Sequence, residues 1–173
     1  MDTLNQTVFW DGKWQFRLDR VRLDSGHEMD LALIDHPGSV VLVPMIGEDV
    51  LMIEQFRPVL GKTIIELPAG TRDQRDEPYI EAAQRELREE TGYRAESLTL
   101  LGEMLPSPGT SNEVMKIFLA QGLVRDPLPM DEDEVIVVRP MPLTKLVNMA
   151  IRGELHDAKS VVGVLQASFR LRE

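Results

Sequence analysis

Arg85-Glu86-Leu87-Arg88-Glu89-Glu90-Thr91-Gly92-Tyr93 packs three carboxylates into five residues behind an arginine. On a helix, Glu86, Glu89 and Glu90 stand at i, i+3 and i+4 and share one face. Three like charges on one face repel unless a cation sits among them. Hard divalent ions take oxygen ligands of this kind, and Mg²⁺ is usually held by a few carboxylates together with substrate phosphates. The stretch therefore reads as a metal platform completed by a phosphorylated substrate. A solvated acidic helix face is the plainer alternative, as most charge runs are no more than that. The flanking residues decide between the two.

The chain that must position this platform has 173 residues, of which 43% are hydrophobic. That suits one compact domain with a small appendage. No apolar run is long enough to cross a membrane. The N-terminal residues lack the basic and then apolar build of a secretory signal. The sequence contains no cysteine, which rules out disulfides and thiolate metal sites and suits a cytoplasmic setting. A net charge of -10 opposes non-specific nucleic-acid binding. An acidic protein still accepts an anionic substrate when metal ions stand between the two.

Residues 1–37 read as a strand-rich extension. From about residue 7, hairpin-like turns at Asp11-Gly12-Lys13 and Asp24-Ser25-Gly26-His27 separate alternating apolar stretches, and both tryptophans fall here. His36-Pro37-Gly38 marks a boundary. Residues 38–173 read as the main α/β domain. Strands are expected over Ser39–Pro44, Val50–Phe56, Ile64–Leu67, Leu98–Leu105, Val114–Ala120 and Val135–Val138. A helix is expected to start at Pro78, bury Ala82, Ala83 and Leu87, and stop at Gly92. Two more helices are expected over Leu143–Ile151 and Ser160–Leu171.

Read outward from Arg85, the pattern is Gly70-x6-Glu77-x7-Arg85-Glu86-Leu87-x-Glu89-Glu90-x-Gly92-Tyr93. It resembles the Nudix box, the signature of hydrolases that cleave a nucleoside diphosphate linked to another group. The loop between Gly70 and Glu77 is one residue longer than the family spacing. The insertion lies in a loop, where it is tolerated, and leaves the helical carboxylates in register; Asp76 becomes an alternative ligand if the loop shifts. Gln55-Phe56-Arg57-Pro58, Glu66-Leu67-Pro68-Ala69-Gly70 and Ser107-Pro108-Gly109 narrow the resemblance to ADP-ribose pyrophosphatases and related nucleoside diphosphate sugar hydrolases. Thr110 stands where that group usually has an aromatic. The similarity continues through Gly153–Lys159 and the last helix.

The resemblance implies a Nudix α/β/α sandwich with a small N-terminal β-sheet extension. It implies Mg²⁺, with Mn²⁺ as a substitute, held by Glu86 and Glu90, by Glu89 directly or through water, and by the backbone carbonyl of Ala69. Arg85 would orient the glutamates, at (i, i+4) spacing to Glu89. Glu77 would pair with a helix side chain or hold a metal-bound water.

Histidine is scarce, so the base must be another carboxylate. In the family an acidic loop supplies it, which matches Asp131-Glu132-Asp133-Glu134. Glu132 is the first choice for the base and Glu134 for a further metal contact. Arg57 is a candidate phosphate clamp because its guanidinium forks phosphate oxygens, or else a plain surface arginine. Glu66, Pro108 and Glu113 are further candidate substrate contacts. Trp14, with Trp10 and Phe16, is a candidate adenine stacker, ordinary sheet packing being the alternative. His27, His36 and His156 read as incidental.

The expected reaction is hydrolysis of ADP-ribose to AMP and ribose 5-phosphate. The alternatives are GDP-mannose, ADP-glucose or a dinucleotide, or a sensor domain that binds ADP-ribose without cutting it. In relatives the N-terminal piece helps form a homodimer, often by exchanged strands, and the partner completes the base pocket.

Overall fold

The computed structural model describes residues 1–130 and 135–172. The first strands, β1 (Asp2–Asp11), β2 (Gln15–Arg22) and β3 (Glu28–Asp35), form a separate antiparallel sheet in that order. β1 starts at Asp2 rather than near residue 7, and all its residues are exposed. The extension is tied to the rest by its last strand. The Ile34 N–H donates to the Thr110 carbonyl at 2.8 Å, and Asp35 pairs with Arg75 at 2.7 Å.

The main sheet contains β4 (Ser39–Ile46), β5 (Asp49–Arg57), β6 (Lys62–Glu66), β7 (Ala69–Thr71), β8 (Tyr93–Met104), β9 (Met115–Arg125) and β10 (Ile136–Pro142). Its order is β10-β5-β4-β9-β8, with β6 on β5 and β7 on β4. β4 and β9 run parallel, and the other pairs are antiparallel. The helices are α1 (Tyr79–Thr91), α2 (Leu143–Arg152) and α3 (Ala158–Arg170).

Period-two alternation in the central strands explains the layers. Val40 and Leu42 of β4, with Phe118 and Ala120 of β9, pack against Ala82, Ala83 and Leu87 of α1. Val41, Val43, Ile117 and Leu119 point the other way, into a core shared with Leu146 of α2 and Val164 and Ala167 of α3. Because both faces are covered, β4 reads as a near-continuous apolar run rather than as alternation. Among the described residues, no helix is long and apolar enough to cross a membrane.

Candidate active site

α1 begins after Pro78 and ends at Gly92, whose left-handed φ of 77° closes the last turn. Its buried face is not wholly apolar. Glu86 is 8% exposed and Glu90 3%, beside Ala82, Ala83 and Leu87. The backbone of β7 meets these carboxylates. The Ala69 N–H donates to Glu90 Oε2 at 2.8 Å. A Cβ on Gly70 would lie 1.9 Å from the Glu86 carboxyl carbon, so only glycine leaves that carboxylate its place.

Arg85 organises the charges. Its Nη1 donates to Glu86 Oε1 at 2.7 Å and to Glu89 Oε2 at 3.0 Å, and its Nε to Glu77 Oε1 at 3.1 Å. Its Nη2 reaches the Thr71 carbonyl at 3.1 Å, and Asp73 lies 3.4 Å from Nε. Both expected pairings, Arg85 with Glu89 and Glu77 with a helix side chain, are present in the geometry. One guanidinium is thus shared among four carboxylates. Burial, reinforced by Glu89, pushes Glu86 up to about 7, although Arg85 pulls the other way.

Sequence reasoning missed Arg72, which fixes the longer box loop. It is buried, its Nε donates to the Glu77 carbonyl at 2.6 Å and its Nη1 to the Pro37 carbonyl at 2.9 Å. Its Nη2 donates to the Arg75 carbonyl, and its guanidinium stacks 4.3 Å over the Tyr79 ring. The loop ends at Pro78, after which α1 begins and carries Glu86, Glu89 and Glu90 on one helix. Asp76, the alternative ligand, lines a different groove from Glu86.

The donor set is all oxygen, as a hard divalent cation requires. Among the described residues, no three acidic or histidine side chains converge as a ready metal group. The reason is visible: Arg85 draws Glu86 and Glu89 to itself, while Glu90 turns to the Ala69 N–H. A cation entering here would find buried carboxylates with too little positive charge nearby, so the residues fit a metal.

A cleft of about 240 Å³ lies over this platform, lined by Lys13, Arg57, Ala69, Gly70, Thr71, Asp73, Arg85, Glu86 and Glu89. It brings together most of the expected metal residues, and it includes Lys13, which sequence reasoning passed over. Next to it, a polar groove of about 660 Å³ runs between the β1–β2 turn and the box loop, with Trp14 in its wall. A third cleft, of about 530 Å³ and largely apolar, lies beyond Glu89 and Glu90, with Met130 and Ile136 at its edge. Glu132 and Glu134 lie outside the described residues.

The other candidates lie in varied surroundings. Arg57 lines the cleft, but its Nε and Nη2 both donate to Glu66 at 2.8 Å. Glu66 is only 1% exposed and is held between Arg57 and Lys159. Pro108 is in an exposed turn, and Glu113 accepts from the Ser39 hydroxyl; neither lines any of these three clefts. His36, taken as incidental, is a side chain packed between Glu113 at 3.8 Å and Thr71 at 3.5 Å, and burial lowers its basicity. Pro and Glu at these positions carry no short-range signal of where their loop docks.

The model of the NUDIX domain matches residues 35–162, most of the chain. The chain belongs to the Nudix family. It is 34% identical to the ADP-ribose pyrophosphatase of Bacillus subtilis (strain 168) over 150 residues, 85% of this chain and 80% of that one. It is 31% identical to the ADP-ribose pyrophosphatase of Mycobacterium tuberculosis (strain ATCC 25618 / H37Rv) over 164 residues, 93% of this chain and 79% of that one. Its fold matches the crystal structure of an ADP compounds hydrolase with a TM-score of 0.83, at 21% identity, over 99% of this chain and 94% of the other. The α/β/α arrangement is therefore the Nudix fold.

Proposed function

We propose that this protein hydrolyses ADP-ribose to AMP and ribose 5-phosphate with Mg²⁺, Mn²⁺ serving as a substitute. The observation that carries the reading is the buried carboxylate platform of α1, where Glu86, Glu89, Glu77 and Asp73 share the single guanidinium of Arg85. Such a site holds excess negative charge that a divalent cation and a phosphate would complete. The ADP-ribose preference draws on the two relatives named for that activity.

Glu86, Glu90, Glu89 and the Ala69 carbonyl would hold the metal, and Arg85 keeps the glutamates oriented. The metal supplies charge neutralisation and a more acidic bound water. Glu132 accepts a proton from the attacking water, and Glu134 makes a further contact. The water oxygen joins one phosphorus, and the bridging P–O bond to that phosphorus breaks. The bridging oxygen leaves with the other phosphate, giving two monophosphates.

The N-terminal sheet favours a homodimer. Leu4, Val8, Phe9, Trp10 and Phe16 are exposed there, and β1 is an edge strand able to pair with a second copy. Trp14 lines the groove wall, which supports its reading as the residue that stacks on the base. The cysteine-free sequence suits the cytosol.

The test is phosphate release, after coupled phosphatase treatment, from ADP-ribose, ADP-glucose, GDP-mannose, diadenosine polyphosphates and nucleoside triphosphates, with and without Mg²⁺. Metal-dependent turnover led by ADP-ribose is expected. Turnover led by another compound keeps the chemistry and changes the substrate. Binding of ADP-ribose without turnover of any compound would overturn the catalytic reading.

A further inference from the structure

Among the described residues, three cationic side chains line the cleft over the carboxylate platform: Lys13, Arg57 and Arg85. Arg85 is engaged by Glu77, Glu86, Glu89 and the Thr71 carbonyl. Arg57 points two of its nitrogens at Glu66. Neither presents a whole fork to an incoming phosphate. Lys13 is different in origin. It comes from the turn between β1 and β2, outside the residues that match the family model. Its Nζ stands 3.5 Å from Asp73 Oδ1, a long ion pair between two half-exposed side chains.

The turn that carries it is well built. The Gly12 N–H donates to the Trp14 carbonyl at 3.0 Å, and the Trp10 and Trp14 rings pack with centroids 4.4 Å apart. Lys13 and Asp73 line both the carboxylate cleft and the polar groove beside Trp14, so they stand where the two meet. A diphosphate at that junction would leave one substituent over the glutamates and send the other along the groove. Ammonium is a compact point charge on a flexible stem with three donors, suited to following phosphate oxygens. The ion pair with Asp73 lies between two half-exposed side chains, where a phosphate oxygen can compete for the ammonium.

We infer that Lys13 is a substrate-binding residue that grips the diphosphate of the substrate from the N-terminal sheet, leaving Asp73 as the phosphate arrives. The inference rests on the diphosphate-hydrolase reading above. It gives the extension a part in substrate binding that the box residues do not supply.

The experiment compares wild type, Lys13→Met and Lys13→Arg in steady state at saturating Mg²⁺. The substrate is whichever nucleoside diphosphate compound wild type turns over fastest. Failure of ADP-ribose to be that compound therefore touches only the functional reading. Loss of one charge-assisted hydrogen bond should raise KM about ten- to hundredfold in Lys13→Met while kcat changes little. Lys13→Arg should recover most of the loss, because it restores the charge. Thermal unfolding of Lys13→Met should match wild type, since the side chain is half exposed. Wild-type KM in Lys13→Met would overturn the assignment, and so would a loss confined to kcat or one that Lys13→Arg does not repair.

Discussion

Two buried glutamates lie within the same small region and have opposite surroundings. Glu66, at the end of β6, is 1% exposed and meets two cations, the fork of Arg57 and the ammonium of Lys159. Lys159 is itself held by Asp157, which caps α3 by accepting from the Ser160 N–H at 3.0 Å. Glu86, on α1, is 8% exposed and takes part of one arginine that three other carboxylates also claim. A buried charge with its full complement of partners is structural, because the surroundings are satisfied without a ligand. A buried charge with a fraction of a partner is poised for a cation from outside. The difference separates framework from reaction site more clearly than residue type does.

Neutralising each glutamate in turn should separate the two. On the proposed metal role, Glu86→Gln should cut kcat by at least about a thousandfold, roughly 4 kcal/mol of transition-state stabilisation. Its fold should survive, since the shared arginine keeps other partners. Near wild-type turnover in Glu86→Gln or Glu90→Gln would dissolve the distinction.

Glu66→Gln should act in the opposite sense. It leaves Arg57 and Lys159 around a neutral group and should cost about 3 kcal/mol of stability, read by urea unfolding. Unchanged stability would show that the pair of cations contributes nothing there.

A subtler distinction lies in pH. The Glu86 carboxyl in the folded protein titrates at about 7, above its ordinary range, so the folded metal-free protein holds that proton more tightly than the unfolded chain. The resulting stability is complete below the ordinary carboxylate range and is lost as pH rises through about 7. Metal-free protein should therefore be more stable near pH 5 than near pH 8, by up to about 3 kcal/mol. Glu86→Gln should flatten that dependence, which thermal unfolding in chelator would measure. A smaller effect belongs to the framework: Ser160→Ala removes the hydroxyl that accepts from the buried Leu67 N–H at 2.6 Å. It should cost about 1–2 kcal/mol with little change in kcat.

How far the site was legible depends on the range of each interaction. The helix of Arg85 to Glu90, its stop at Gly92 and the shared face of its carboxylates follow from spacing of three and four residues. The central strands were legible too, because apolar runs of strand length with turn signals admit few readings. The start of β1 was missed, because an exposed strand carries no apolar pattern. Arg72 was also missed, since an arginine that donates to carbonyls of Pro37, Arg75 and Glu77 has no motif. The cations around Glu66 were not legible either. One of them, Lys159, lies 93 residues away.

Spacing along the chain carried the carboxylate helix, most of the strands and the helices around it, and the resemblance to a hydrolase family; the short strand β7 was read as a turn. Each rests on local backbone geometry, which spacing encodes directly. Packing settles which charges are compensated and which are left short of a partner. It alone also brought Lys13 from the first hairpin to the edge of the platform. Those outcomes depend on which distant side chains packing places within a few ångströms, and no spacing along the chain specifies that.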